Sequence, residues 1–429
     1  MTRKAESLID IFNFFKPEPL TGEEYAFYQK TATVRDGANY EFHDNLYRRI
    51  HMSITNERLL VVGHGGCGKS TELLMLMAKL SKDGTPVVLV KARDDLDLYN
   101  FSFIDLFMLI VERMAQYAND NNLHVNEKII SAFQKALSTQ KTEKHLNKEV
   151  DISLNGSASI SAKLPFFLNF IANITSSLRM ASGLKEELRL EIKPKIYDII
   201  ESLNAFIEDL REQVKHPIVI IIEGLEKCRQ ECVRKLFVED IASLSNINAH
   251  LVVACPIGVY RSTDAASLSS YFSSPVVIPM IKTHNKDGSL NDDGVNVIRG
   301  LVLKRANESF FEEGVLEKII TKAGGSLRDT CYLLSNSAFE ADMRNRETID
   351  MKSVDFTLSN FASEVFFRLT SNHYPRAKRI YEGDLRARQD SELVELLYSG
   401  AVFEYNGDRW VDLHPLIRDY IKAHPGVLD

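Results

Sequence analysis

Gly63-His64-Gly65-Gly66-Cys67-Gly68-Lys69-Ser70 satisfies G-x-x-x-x-G-K-[ST] and follows the apolar run Leu59-Leu60-Val61-Val62. A glycine-rich turn of this length lets successive backbone N–H groups converge on phosphate oxygens, while the helix behind it adds the positive end of its dipole. The spacing predicts a nucleoside triphosphate site in which Gly63, Gly65, Gly66, Cys67, Gly68 and Thr71 belong to the phosphate cradle. Lys69 would reach the β- and γ-phosphates, and Ser70 would ligate Mg²⁺. A second group lies downstream. Ile218-Val219-Ile220-Ile221-Ile222 is a run of β-branched residues suited to a strand covered on both faces, and it ends at Glu223. An acid there holds the Mg²⁺ water shell in P-loop ATPases. The next residue is Gly224, where many motor ATPases carry the glutamate that orients attacking water, so Glu226 is the nearest substitute. That pattern predicts a slow or conditional hydrolase. In a third group, Gly324-Gly325-Ser326-Leu327-Arg328-Asp329, Ser326 can cap a helix whose first turn aims Arg328 across a cleft at the γ-phosphate.

These residues need a scaffold, and the sequence supplies one. A helix from about Thr71 to Leu80 carries Leu73, Leu74, Met77 and Leu80 on one face and stops at Gly84. Pro86 to Val90 reads as a second strand, about Ser102 to Asn119 as a long amphipathic helix, and His250 to Cys255 as a further strand ending at Pro256. Strand, helix, strand, helix implies a parallel sheet, hence an α/β fold.

The expected divisions are an arm with the first core helix over residues 1–52, a P-loop core over 53–285, a helical lid over 286–346, and a winged helix over 347–429. Residues from about 120 to 190 look inserted. Val150, Ile152 and Leu154, then Ile160, Ala162 and Leu164, alternate around Asn155-Gly156 and predict a β-hairpin. Phe166 to Ile174 reads as a core helix beneath it. The wing would be Val402 to Tyr405 and Arg409 to Asp412, joined through Asn406-Gly407.

With 429 residues, 45% of them hydrophobic, the chain can bury a large core divided among two or three domains. No run approaches the roughly 18–20 apolar residues of a membrane helix, and residues 1–7 lack a signal peptide's apolar core, so a cytoplasmic protein with no membrane contact is expected. The five cysteines show no C-x-x-C pair, which points away from a disulfide framework or zinc site. A net charge of −7 argues against a generally basic, nucleic-acid-coating surface.

Gly63–Thr71, Glu223–Lys227, the Cys255-Pro256 strand end and Gly324–Arg328 resemble, in that order, the Walker A, Walker B, sensor 1 and sensor 2 series of AAA+ ATPases. The resemblance is to the branch near the origin-recognition ATPases and the signal-transduction ATPases with numerous domains, and it covers most of the chain outside the insert and the first thirty residues. Cys255 departs from the pattern, since a polar Asn, Thr or Ser is expected at sensor 1.

The resemblance implies a nucleotide-binding core, a lid and a winged helix, with ATP and Mg²⁺ as ligands. It also implies a homo-oligomer or a complex with a separate effector, in a bacterial or archaeal regulatory or antiviral defence setting. Val34-Arg35-Asp36 resembles the short box that contacts the base, which makes Arg35 a binding candidate. Arg261, just beyond sensor 1, is a candidate γ-phosphate arginine in cis or towards a neighbour. The absence of an NKxD motif favours ATP over GTP.

The expected function is an ATP-binding switch ATPase that controls oligomerisation or an effector. One alternative is a DNA-binding loader or initiator, in which Arg376, Lys378, Arg379, Arg386 and Arg388 touch phosphates; another is a hydrolysis-deficient scaffold. DNA is the less favoured partner, because acids outnumber Lys and Arg from Ser371 to Asp429. His414 is expected to be a structural histidine.

Overall fold

The computed structural model describes residues 3–137, 160–180, 183–386, 390–405 and 410–429. Its centre is a parallel sheet of β1 (Arg58–Gly63), β2 (Val87–Lys91), β3 (Val219–Glu223), β4 (His250–Pro256) and β5 (Val276–Ile278), in the order β2-β3-β4-β1-β5. Alternate residues of each strand enter opposite cores: Ile220 and Ile222 pack with Leu60 and Val62, whereas Val219 and Ile221 pack with Leu59 and Val61. Burial on both faces explains why these segments read as unbroken apolar runs. The pairings Gly63 with Ile278, Gly63 with Pro256, and Lys91 with Glu223 align the carboxyl ends of the strands, the edge where open α/β sheets bind ligands. β5 follows Pro275 and is only three residues long, too short to announce itself.

Helices cover both faces. On one lie α3 (Phe42–Met52) and α4 (Lys69–Lys82), preceded by the short α2 (Ala32–Asp36). On the other, α5 (Phe103–Asp120) packs with an inserted layer of α6 (Glu127–Leu137), α7 (Ile160–Arg179), α8 (Gly183–Ile192) and α9 (Ile196–Val214). Phe133, Phe167 and Phe206 meet there with ring centroids 5.5–6.4 Å apart. The core-helix expectation for Phe166 to Ile174 is met, with Phe167, Phe170, Ile171 and Ile174 buried.

The hairpin expectation is overturned at its second strand, because Ile160, Ala162 and Leu164 belong to α7. Their three-residue alternation is outvoted by the helical period that follows, Phe167, Phe170, Ile171, Ile174 and Leu178. Val150, Ile152, Leu154 and Asn155-Gly156 lie outside the described residues, as does the Asn406-Gly407 turn.

β3 runs through Glu223 into a 3-10 turn, Leu225–Lys227, and then α10 (Gln230–Val238). Beyond β5 come α11 (Asp292–Arg305), α12 (Val315–Lys322) and α13 (Leu327–Met343). Ser326 caps α13 as its position predicted, accepting from the Asp329 N–H at 3.2 Å.

The C-terminal part holds α14 (Met351–Phe366), α15 (Tyr374–Tyr381) and α16 (Ser391–Ser399). They are followed by the antiparallel pair β6 (Val402–Glu404) and β7 (Val411–Leu413), and by α17 (Pro415–Ala423). The N-terminal arm is not loose: α1 (Leu8–Phe14) packs on α13, and the Ala5 N–H donates to the Arg305 carbonyl at 2.7 Å.

Candidate nucleotide site

The loop between β1 and α4 turns at Gly66, whose φ of +89° excludes most side chains. A Cβ there would also lie 2.8 Å from the Ser326 hydroxyl and from the Arg328 Cβ. The sensor 2-like segment is therefore seated on the phosphate loop itself. The Leu327 and Arg328 N–H groups both donate to the Gly66 carbonyl, at 3.0 and 3.3 Å. Arg328 lies over the neighbouring residue, since a Cβ on Gly65 would sit 2.9 Å from its Nη1. Lys69 opens α4, and its buried ammonium donates to the carbonyls of Gly63 (2.9 Å) and His64 (2.7 Å). The helix dipole and Lys69 together make this edge strongly attractive to anions.

Across the loop, Ser70 and Glu223 both line the cavity. Burial pushes the Glu223 pKa up, opposed by the Ser70 hydroxyl beside it and helped by the nearby charge of Glu226. Glu226 moves the other way: against the effect of burial, Lys69 first, then its own backbone N–H, Arg328 and Lys227 hold it below the usual range. Glu223, Glu226, Lys69, Ser70 and Arg328 line one cavity of about 720 Å³.

The chain thus carries a glycine-rich loop between a strand and a helix at the carboxyl edge of a five-stranded parallel sheet. No protein-family model and no curated protein matches the sequence. Among solved structures the chain is similar to Cdc6p from Pyrobaculum aerophilum, at 12% identity over 94% of this chain and 96% of that one, with a TM-score of 0.39. It is also similar to the Walker-type ATPase PABY2304 of Pyrococcus abyssi, at 14% identity, 92% and 99% coverage and a TM-score of 0.42. A third is the Aeropyrum pernix ORC1 protein in complex with DNA, at 12% identity, 94% and 96% coverage and a TM-score of 0.38.

A further part of the cavity wall comes from the arm, which the sequence did not place. Its segment from Pro17 to Tyr28 faces the P-loop across the cavity. The Leu20 N–H donates to the Thr71 hydroxyl at 3.3 Å, and the Tyr28 hydroxyl bonds both Glu41 (2.8 Å) and Glu72 (2.7 Å). These anchors join backbone groups or residues distant in sequence, so only the aromatic and proline content of the arm hinted at them.

Arg35 is buried beneath the loop. Its Nε donates to the Thr31 hydroxyl (2.9 Å), one Nη to the Cys67 carbonyl (2.7 Å) and the other to the Pro279 carbonyl. Three of its donors thus brace the cradle from below. Cys255 is buried, with burial pushing its thiol pKa up, so it presents no polar group at the sensor 1 place.

The structure corrects the reading of Arg261. Its guanidinium does not face the cavity but grips Glu404 of β6 through two bonds, at 2.8 and 2.5 Å. A fork matched to a nearly buried carboxylate is not free to meet a phosphate.

The same strand reaches the phosphate loop. The Glu404 N–H donates to His64 Nε2 at 2.8 Å, which requires that nitrogen to be unprotonated. Burial, with Lys69 adding to it, lowers the His64 pKa to about 3, so the ring is neutral in ordinary buffers. The Tyr405 hydroxyl donates to the Gly324 carbonyl at 2.8 Å. His414 bonds Asp329 (3.4 Å) and accepts from the Leu416 N–H (3.2 Å), a satisfied structural histidine as expected.

Four of the five basic residues that the DNA alternative needed have partners within the chain. Arg376 is fully buried, donating to the Arg386 carbonyl at 2.9 Å and lying 3.3 Å from Asp390. Lys378 pairs with Asp429, Arg379 with Glu392, and Arg386 with Asp384. Arg388 lies outside the described residues. No helix among the described residues is long and apolar enough to cross a membrane.

Proposed function

We propose that this protein is an ATP-gated switch: an AAA+-like ATPase in which Mg²⁺-ATP at the P-loop fixes the lid and C-terminal part against the core, and slow hydrolysis resets them. One observation carries the reading. The phosphate loop is held from two sides, by Leu327 and Arg328 at the Gly66 carbonyl and by Glu404 at His64, so a change at the phosphates is felt directly by both parts. Phosphate oxygens would draw Lys69 from the Gly63 and His64 carbonyls and bring Arg328 towards the same charge, closing the lid.

The Ser70 hydroxyl and Glu223 carboxylate, both lining the cavity, are the hard oxygen donors Mg²⁺ takes, directly or through water. When bound, the ion would neutralise charge on the β- and γ-phosphates. Glu226, kept ionised by the cations around it, is the carboxylate left to orient water, since Gly224 has no side chain. This supports slow turnover. A nucleotide switch needs a listener, so this reading includes a homo-oligomer or effector complex and the defence setting that the motif resemblance implied.

Phosphate release from the purified chain tests the enzymatic part. The expected result is slow, Mg²⁺-dependent release that Lys69→Ala abolishes, while Glu223→Gln still binds ATP but releases at least tenfold less phosphate. Equal release by all three proteins would contradict the proposal.

A further inference from the structure

Several cations line the cavity, and among those nearest the acid-bearing turn Lys69 and Arg328 belong to the motif series, while Lys91 ends β2 beside Glu223. Outside that series stand Arg93, just past β2, and Lys227, at the end of the turn after Glu223. Neither Lys227 nor Arg328 has a carboxylate within ion-pairing distance of 4.0 Å among the described residues. Like charges left facing one another beside a helix N-terminus raise the energy of the protein alone, and an anion placed among them removes that cost. Burial and the repulsion of Arg328 lower the Lys227 pKa, with Arg93 and Lys69 adding to the repulsion and Glu226 opposing it.

The backbone explains how Lys227 comes to be there. Gly224 has φ +83°, and a Cβ on it would meet the Arg93 backbone nitrogen at 3.1 Å and the Arg93 Cβ at 3.3 Å. Only glycine lets the chain fold over the end of β2 here. The 3-10 turn is closed by the Lys227 N–H donating to the Gly224 carbonyl at 3.0 Å, and it brings Glu226 and Lys227 to the cavity. The glycine that removes a water-orienting side chain is thus the residue that presents Lys227. The far end of the turn is fixed from the C-terminal part, where the Tyr398 hydroxyl donates to the Cys228 carbonyl at 2.6 Å.

We infer that Lys227 is a cation for the terminal phosphate, supplied in cis by the acid-bearing turn, and that it makes the site discriminate a nucleoside triphosphate from the diphosphate. Lys69 is seated under the loop on the Gly63 and His64 carbonyls, whereas Lys227 lies on the turn beyond Glu223 with Arg328 nearby, the side on which the inference places the third phosphate. Because Cys228 is bonded to Tyr398, a pull on Lys227 also reaches α16. The inference rests on the nucleotide-site reading above and adds to it a specificity determinant outside the motif series.

The test is equilibrium binding of fluorescent ATP and ADP analogues, with Mg²⁺, to the full chain and to Lys227→Ala, Lys227→Arg and Lys69→Ala. Lys227→Ala is expected to lose about tenfold or more in affinity for the triphosphate, the worth of one hydrogen bond to a charged group. Its diphosphate affinity should stay within about twofold, which also shows that the variant is folded, and Lys227→Arg should restore most of the loss. Equal loss for both nucleotides, or no loss for either, overturns the inference while leaving the nucleotide site intact. Failure of the unaltered chain to bind either nucleotide, or binding undiminished in Lys69→Ala, overturns the site reading and this inference with it.

Discussion

His64 fills a variable position of the P-loop motif, yet it links the phosphate loop to the last strand pair of the chain. Its folded pKa of about 3 lies below the ordinary histidine value of about 6.5, so between those values the unfolded chain binds the proton and the folded chain does not. Stability from this neutral imidazole is therefore complete above about pH 6.5 and is lost as the pH falls towards 3. By pH 5 the loss amounts to about 2 kcal/mol. His414 contributes in the same direction, because its pKa is lowered by burial even with Asp329 beside it. His64→Gln retains an acceptor for the Glu404 N–H and removes the titration. Denaturant unfolding at pH 7 and pH 5 should show the unaltered protein losing more stability than His64→Gln, by a difference on the order of 2 kcal/mol. Parallel losses would mean that His64 does not titrate as its surroundings dictate.

Among the elements, β6 touches both the phosphate loop and the segment after β4, and the Arg261–Glu404 pair is its most buried charged contact. Removing one partner leaves the other charge in a site closed to water, at a cost of about 3–5 kcal/mol. Arg261→Ala should therefore loosen the C-terminal part and speed tryptic cleavage at Arg344 and Arg346, between α13 and α14, whereas Arg261→Lys should do so less. An unchanged cleavage rate would show that β6 is held by other contacts.

That pair also marks where the sequence stops being legible. The cradle could be read because its chemistry needs glycines, a lysine and a hydroxyl in one contiguous stretch, and β1, β3 and β4 because burial on both faces demands apolar runs. Ser326 was legible as a cap because capping is local. Arg261 was misassigned because its partner is 143 positions away, and nothing local distinguishes an arginine bound for a carboxylate from one bound for a phosphate. The arm escaped for the same reason: Leu20 meets Thr71 through a backbone N–H, and a backbone donor has no sequence signature. β5 offered three residues, and the false second strand of the hairpin also offered three, too few to fix a period.

For the whole molecule, the parts that could respond to nucleotide converge on a few groups at the carboxyl edge of the sheet. The arm ties to Thr71, α13 to Gly66, the acid turn to α16, and β6 to His64. Among the described basic residues from Ser371 onward, Arg376 is buried and Lys378, Arg379 and Arg386 each lie beside a carboxylate. Surface pairs of this kind are weak, but they lower the local positive potential that phosphate binding requires. In the proposed switch, conformation is the output. The Glu404 amide reports it most directly, because that hydrogen is donated to the phosphate loop. Hydrogen–deuterium exchange over Val402 to Tyr405 should slow on addition of saturating Mg²⁺-ATP, change little with ADP, and show no ATP effect in Lys69→Ala. Exchange in the unaltered protein that ignores saturating ATP, or an equal response in Lys69→Ala, would contradict the switch.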